Sequence, residues 1–511
     1  MATGYQEVLT SSIGSFGVAQ FWISAASITP KITTAISMIM IGFSSSEPKW
    51  YRENVVFNQT TNSTIVNQYA KSCTFGVNDT LNYNTPFETI VTEWRLICDE
   101  SFIPTTIQTT QMVGVLFGSA SFGQLGDLIG RKYCLQISQL LQIIALLIQG
   151  LSYNWYMFIC SSFLLGLGAG GFLVVTNIYM LEFIGTKWRT LCATFPAWGM
   201  GVILFGALIK ALPNWRHMCY LAAALNVPMV CISLFTPRSP RWLFTNGKAE
   251  QGKEALVKLA KQNKNETPDF VLLEKLIDEE TRKEKQSGSY TYMSLFKFSS
   301  TRKKTLLLSY VWFCCGFSYY GLTLGIGTLS GDMAINYMFM GIGELLITLV
   351  VIGSAKLFGR KYGSIILFVL SFLTSFSITI SYFTTSDETF QSVMNWLALL
   401  SRFFLAAAWG QVIVYTAEIY PTVIRSVGYG FVSVIARIGG IVAPQNKILF
   451  NQSQHLPFTI NGVLILISSL VILMLPETMN SPMADYIGEN EEGEACNEES
   501  NKRSNQVIPF N

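Results

Sequence analysis

Charge is scarce in this chain. Only 13% of its 511 residues are Asp, Glu, Lys or Arg, against roughly 25% in ordinary soluble domains. A soluble protein of this length would split into several domains and need charged surface to stay dispersed, so that class is excluded. Histidine occurs twice, and neither His217, beside Trp215 and Arg216, nor His455 has a metal or nucleophile partner nearby in sequence. A Gly-rich phosphate loop, a His/Cys metal cluster and a Ser/His/Asp arrangement are all missing, which argues against an enzyme and leaves no cofactor or metal to expect. Of ten cysteines, Cys134, Cys160, Cys192, Cys219, Cys231, Cys314 and Cys315 lie in or beside apolar runs and Cys496 near the C-terminus. Without metal-ligand spacing these read as inert small hydrophobes. The N-terminus has no basic stretch before a short apolar core, so no cleaved signal peptide is expected and the first apolar run stays in place.

What the chain has instead is long apolar runs. Half of its residues are apolar or aromatic, and runs of roughly 20 such residues cross the ~30 Å hydrocarbon core of a bilayer as helices. Twelve are read, beginning near Gly17, Thr105, Tyr133, Trp155, Thr190, His217, Thr305, Ala334, Tyr362, Ser392, Ser426 and Leu456. Pro30 and Lys31 interrupt the first. The expected fold is an all-α membrane protein, its twelve transmembrane helices arranged as two pseudo-symmetric six-helix bundles. Residues 1–236 make the N-terminal half, including an extracellular loop at 44–104. A cytoplasmic loop follows at 237–304, then the C-terminal half at 305–475 and an acidic cytoplasmic tail at 476–511.

The connections set the sidedness. The loop 44–104 carries the glycosylation sequons at Asn58, Asn62 and Asn78, which places it outside the cell. Cys73 and Cys98 share that loop, where oxidising surroundings make a disulfide available. The loop 237–304 holds 15 Lys/Arg against 9 Asp/Glu. Between hydrophobic spans such a stretch is simplest as a cytoplasmic loop under the positive-inside bias rather than a nucleic-acid surface. Both termini then lie in the cytoplasm of a multi-pass plasma-membrane protein.

The halves repeat. Gly123-Gln-Leu-Gly-Asp127-Leu-Ile-Gly130-Arg131-Lys132 follows the second span, and Gly359-Arg360-Lys361 stands at the corresponding place after the eighth, 229 residues on. Glu182 precedes Arg189 by seven residues, and Glu418 precedes Arg425 by the same seven, 236 residues on. Parallel six-helix repeats with a binding site between them are a known transporter architecture. At these residues the chain resembles the major facilitator superfamily, whose signature Gly-x3-Asp-x2-Gly-Arg-Lys/Arg is matched in full by Gly123, Asp127, Gly130, Arg131 and Lys132. More closely it resembles the organic cation, anion and zwitterion transporter family. That resemblance rests on Phe87-Glu-Thr-Ile-Val-Thr-Glu93-Trp94-Arg-Leu-Ile-Cys98-Asp99, Ser239-Pro-Arg-Trp-Leu243 and Tyr415-Thr-Ala-Glu418-Ile-Tyr-Pro421-Thr-Val-Ile-Arg425. The chain departs from the family at Arg238, Lys356 and Ser162, where Glu, a small polar residue and Arg are usual.

Two groups of residues carry the expected mechanism. At the inner helix ends, Asp127, Arg131, Glu182 and Arg189, mirrored by Arg360, Glu418 and Arg425, suit ion-pair latches that form when the cytoplasmic side closes; the plainer alternative is that terminal Arg and Lys snorkel and set topology. At mid-membrane depth stand Lys31, Glu344, Arg402 and Arg437, each costing roughly 2.5 to 3.5 kcal/mol on insertion scales if unpaired. Either they form a structural ion pair, such as Glu344 with Arg402, or at least one of Glu344 and Arg437 faces substrate. The resemblance implies that Glu344 stands at the helix-eight acid of cation and carnitine-type carriers, and Arg437 where cation carriers have Asp and anion or zwitterion carriers Arg. A cavity offering both signs suits a zwitterion. Trp312, Tyr319 and Tyr320 share a helical face and suit a cation-π cage, with packing as the alternative. Glycines 166, 168, 170, 171, 439 and 440 read as close helix packing.

The expected function is alternating-access transport of small organic ions, organic cations or carnitine-like zwitterions first. An organic anion exchanger is the rival, favoured by Arg437, Arg402 and Lys31. A membrane glycoprotein that binds a ligand without moving it is the rival from another class. The expected partners are the substrate, the bilayer and a coupling ion, sodium or proton, left open; nucleic acid is not expected.

Overall fold

The computed structural model describes residues 13–58, 63–70, 73, 79–265, 270, 292–329, 331–421 and 424–479. Among them eleven helical segments are long and apolar enough to cross a membrane. The longest, Met333–Thr384, is two spans joined at Gly359, whose φ of 80° and ψ of −174° leave the helix. Twelve crossings result. They are α1 Val18–Ser44, α2 Ile103–Ile129, α3 Arg131–Leu151, α4 Trp155–Leu181, α5 Ala197–Ala211 and α6 Trp215–Phe235, then α7 Ser299–Leu324, α8 (333–358), α9 (360–384), α10 Asp387–Ile419, α11 Arg425–Val442 and α12 Leu456–Leu473.

Proline acts differently in two of these. In α1 the helix continues through Pro30, and Thr33 Oγ1 lies 3.1 Å from the Pro30 carbonyl oxygen and 2.8 Å from Asn226 Oδ1 on α6, tying the two helices together just past the proline. The fifth span is broken: the helix Thr186–Ala193 ends before Pro196, and α5 starts only at Ala197, later than the expected start near Thr190. Pro196 has no N–H to continue the first helix.

The repeated Gly-Arg-Lys signature has a backbone cause. α2 and α3 meet with no loop between them at Gly130, φ 101°, and α8 and α9 meet likewise at Gly359. Side chains are strained at such angles, so only glycine lets the chain reverse in one residue and bring the following Arg onto the inner helix ends. Trp242, from the short helix Pro240–Thr245, packs on Gly130 and donates its Nε1 to the Asp127 carbonyl at 2.8 Å. Glu477 does the corresponding job at the second turn, accepting from the Arg360 and Lys361 N–H groups at 3.0 and 3.1 Å.

Small residues bring helices close, as the glycine pattern predicts. A Cβ on Gly166 or Gly170 of α4 would lie 2.1 or 2.3 Å from the Gln111 or Val115 carbonyl oxygen of α2, and one on Gly439 of α11 would lie 2.4 Å from the Phe313 carbonyl oxygen of α7. One buried cluster fills α1 to α6 and extends onto Leu324, Ala334, Tyr337 and Met340; a second fills α7 to α12. The halves therefore share apolar core on the outer side. They touch through α5 on α8 and α2 on α11.

The segment 44–104 is more than a polar loop. It holds a three-stranded antiparallel sheet of β1 Lys49–Asn58, β2 Ser63–Ala70 and β3 Asp79–Asn84, in the order β2-β1-β3, with Val55 opposite Val66 and Val56 opposite Ile65. The β-branched residues at those registers favour pleated pairing, a signal the polar surroundings hide. Cys73 and Cys98 are joined in a disulfide. Asn58 ends β1; Asn62, Asn78, most of the segment 266–291 and the tail from 480 lie outside the described residues.

Candidate functional site

Glu344 lies on α8 where the halves meet: a Cβ on Gly199 of α5 would fall 2.8 Å from Glu344 Cβ. Its Oε1 accepts twice, from Arg402 Nη2 of α10 at 2.7 Å and from the Tyr319 hydroxyl of α7 at 2.7 Å. Arg402, only 3% exposed, also donates Nε to Thr323 Oγ1 at 2.9 Å, and its guanidinium stacks 4.6 Å from the Tyr319 ring centre. The two mid-membrane charges thus neutralise each other, the arrangement a low-dielectric site demands. Glu344 Oε2 carries no such bond among the described residues.

Arg437 is placed differently. On α11 it is half-buried, within electrostatic reach of Tyr320 and Tyr429, and no carboxylate pairs with it among the described residues. Tyr320 packs against Gly440 one turn along the same helix. Lys31 of α1 is buried, its Nζ donating to Asn177 Oδ1 of α4 at 2.8 Å; it holds a polar partner in the N-terminal half and is not brought to Glu344.

The aromatic group is larger than the sequence pattern shows, and Trp312 joins it through ring contacts with Trp409 at 6.3 Å and Tyr429 at 5.3 Å. Trp312 is 3% exposed and donates Nε1 to Thr416 Oγ1 of α10 at 2.9 Å, which makes it a tie between α7 and α10. The ring beside Tyr319 and Tyr320 is Trp409 of α10, with centroids 5.1 and 6.3 Å away, its indole N–H without a partner among the described residues. Sequence reasoning missed Trp409, although it follows Arg402 by seven residues and so shares its helix face. It missed Tyr429 and Thr323 as well, although Tyr429 stands on α11 with Arg437, eight residues before it.

The inner latch residues pair within their own halves. Arg131 bonds Asp127 Oδ1 at 2.8 Å and Glu182 Oε1 at 3.0 Å, and Arg360 bonds Glu418 Oε1 at 3.2 Å. Burial pushes the Glu182 carboxyl up from the usual carboxylate range, with Arg131 pulling the other way. Arg189 does not bond Glu182: its Nε and Nη2 donate to the Ile184 and Leu181 carbonyls at 3.2 and 3.3 Å, and Arg425 Nε reaches the Tyr420 carbonyl at 3.3 Å. These two cap the ends of α4 and α10, where free carbonyls attract cations.

Pairs that do cross between halves lie on the outer side and were not foreseen. Lys447, past α11, pairs with Glu47, past α1, at 3.4 Å, and Lys210 of α5 pairs with Asp332 at the start of α8 at 3.3 Å. Glu47 also accepts from Trp50 Nε1 of β1 at 3.3 Å.

Comparisons with known proteins agree with this geometry. The profile of the sugar (and other) transporter family matches residues 55–487. The chain is 31% identical over 436 residues to an organic cation transporter protein of Drosophila melanogaster, covering 82% of this chain and 77% of that one. It is 27% identical over 486 residues to solute carrier family 22 member 15 of Xenopus tropicalis, covering 93% and 89%. To solute carrier family 22 member 6-A of Xenopus laevis it is 31% identical over 410 residues, covering 79% and 72%. In fold it is similar to the inward open conformation of the E. coli xylose transporter XylE, with a TM-score of 0.66, 16% identity, and coverage of 93% and 99%. The chain belongs to the major facilitator superfamily, in its organic cation, anion and zwitterion transporter family, and is a multi-pass membrane transporter rather than an enzyme.

Proposed function

We propose that this protein carries small organic zwitterions of the carnitine type, or organic cations, across the plasma membrane by alternating access between residues 1–236 and 305–475. The observation that carries the zwitterion reading is the asymmetry of the central charges. Glu344 gives one oxygen to Arg402 and Tyr319 and keeps the other for an ammonium group, while Arg437 lacks the carboxylate that a zwitterion would bring. Tyr319, Tyr320 and Trp409 supply ring faces for the cationic end. Each end of such a substrate meets its counter-charge, so nothing charged enters the cavity unpaired.

A second reading has its own support. Because Arg402 already neutralises Glu344, Arg437 and Lys31 leave the centre positive, which favours an organic anion. Uptake of one labelled cation, one anion and one zwitterion into expressing cells separates the readings, and binding without uptake would indicate a ligand-binding glycoprotein. Arg437→Asp should shift the preference toward cations by about tenfold or more, the effect of ~1.4 kcal/mol; an unchanged preference removes Arg437 from the site. Cytoplasmic termini follow from the basic loop at 237–304 and the sequons at Asn58, Asn62 and Asn78. Accessibility of terminal epitope tags in intact cells tests that orientation.

A further inference from the structure

Behind Arg402, away from the central aromatics, lies a small cavity of about 40 Å³, room for a few water-sized particles, between the outer parts of α7, α10 and α12 and the helix Asn446–Gln452. Its polar lining is Arg402, Asn446, Lys447 and Asn461, with no carboxylate in the wall. Asn461 is fully buried and Asn446 is 6% exposed, and all four of their amide N and O atoms lack a partner among the described residues. The space for Asn446 is made by Gly321, where a Cβ would fall 2.0 Å from Asn446 Nδ2. Arg402 spends Nε and Nη2 on Thr323 and Glu344, and Lys447 pairs with Glu47. Both acids approach from outside the cavity wall.

Buried amides are seldom left without partners, and here two converge on a pocket walled by two cations. We propose that this cavity binds a small, partly hydrated monovalent inorganic anion, of the halide or bicarbonate class. The Asn Nδ2 groups and the remaining Arg402 donor contact the ion, and its retained waters serve the two Oδ1 atoms. A cation is excluded by the sign of the wall, and an organic substrate by the confined, mostly apolar remainder of Leu322, Ile326, Phe450 and Phe458. The position gives the ion two levers. It draws Arg402 away from Glu344, which frees negative charge toward the central site, and it weakens the hold of Lys447 on Glu47. The first lever rests on the substrate reading above, whereas the site itself does not.

The test therefore uses no substrate. Purified full-length protein in nanodiscs is unfolded thermally while chloride replaces gluconate at constant sodium and ionic strength. The unfolding midpoint should rise saturably with chloride, because a ligand bound only by the native state stabilises it, and bromide should substitute for chloride. Asn461→Leu, which removes the orphaned amide, should be at least as stable as wild type in gluconate and should need about tenfold more chloride for the same shift. Asn461→Asp, near-isosteric, places a carboxylate beside Arg402 and should abolish the chloride response, keeping the test open if the leucine variant folds poorly. Identical midpoints in chloride and gluconate would mean the cavity holds water only. A chloride shift unchanged in both variants would place the ion elsewhere. Either result overturns the proposal.

Discussion

The outer and inner ends of the two halves are held in opposite ways. Outside, Lys447 to Glu47 and Lys210 to Asp332 run from one half to the other, and shared apolar core continues beneath them. Inside, Arg131 keeps both of its acids in the N-terminal half and Arg360 keeps Glu418 in the C-terminal half. The difference defines a state: charges that cross tie the outer face shut, and charges that stay home keep each half rigid at its inner end without joining them. For the outer face to open, the crossing pairs must break while the internal ones survive. Partly exposed pairs are weak enough to do so, which is what a two-state carrier requires.

The comparison can be broken most severely from the inside. Arg131→Ala would take from Glu182, 7% exposed, its directly bonded counter-charge and leave only Arg241 within electrostatic reach among the described residues. Removing one member of a buried pair costs about 3 kcal/mol or more, so surface yield and unfolding temperature should both fall sharply, and restoring them with the added change Glu182→Gln would identify the pair as the cause. Lys447→Gln comes next. Its side chain and that of Glu47 are only 11% and 18% exposed, and loss of about 1.4 kcal/mol would shift the outward-open population roughly tenfold. A cysteine introduced at Leu324, which packs in the core shared by the two halves, in a background lacking reactive thiols should then be labelled faster by an impermeant reagent added outside. Lys210→Gln, in a pair 53% and 38% exposed, should change that labelling by less than about fivefold, since such pairs contribute under ~1 kcal/mol. Asp127→Ala should have the smallest effect on stability, its side chain being 70% exposed. It should slow the turnover of uptake while leaving the substrate concentration for half-maximal rate nearly unchanged. Equal labelling in the Lys447 and Lys210 variants would erase the distinction drawn between the two outer pairs.

What the sequence reveals follows from the range over which each feature acts. Twelve spans are legible because apolar length is a local property, and the turns at Gly130 and Gly359 because a positive φ leaves glycine as its signature. The pairing of Glu344 with Arg402 was legible only as one of two readings, because the two side chains meet only across α8 and α10; the pair leaves one Glu344 oxygen for the substrate contact proposed above. Trp409 lay within reach of periodicity, one heptad from Arg402. Glu47 and Lys447 did not: 400 residues separate them, and neither looks unusual at the edge of a loop. For Trp312 a shared helix face could not show what that face meets: its indole N–H bonds Thr416 while its ring packs on Trp409 and Tyr429. The sheet at 49–84 was hidden by its polar composition, since pairing between strands can stabilise a segment that has no continuous apolar run.

The indole of Trp50 and the ammonium of Lys447 share the Glu47 carboxylate. The sheet is thus not a passive cover: it begins on the same carboxylate that joins the two halves at this end. A molecule that grips β1 at Trp50 would pull on that shared carboxylate and so bias how often the halves part, without entering the passage between them.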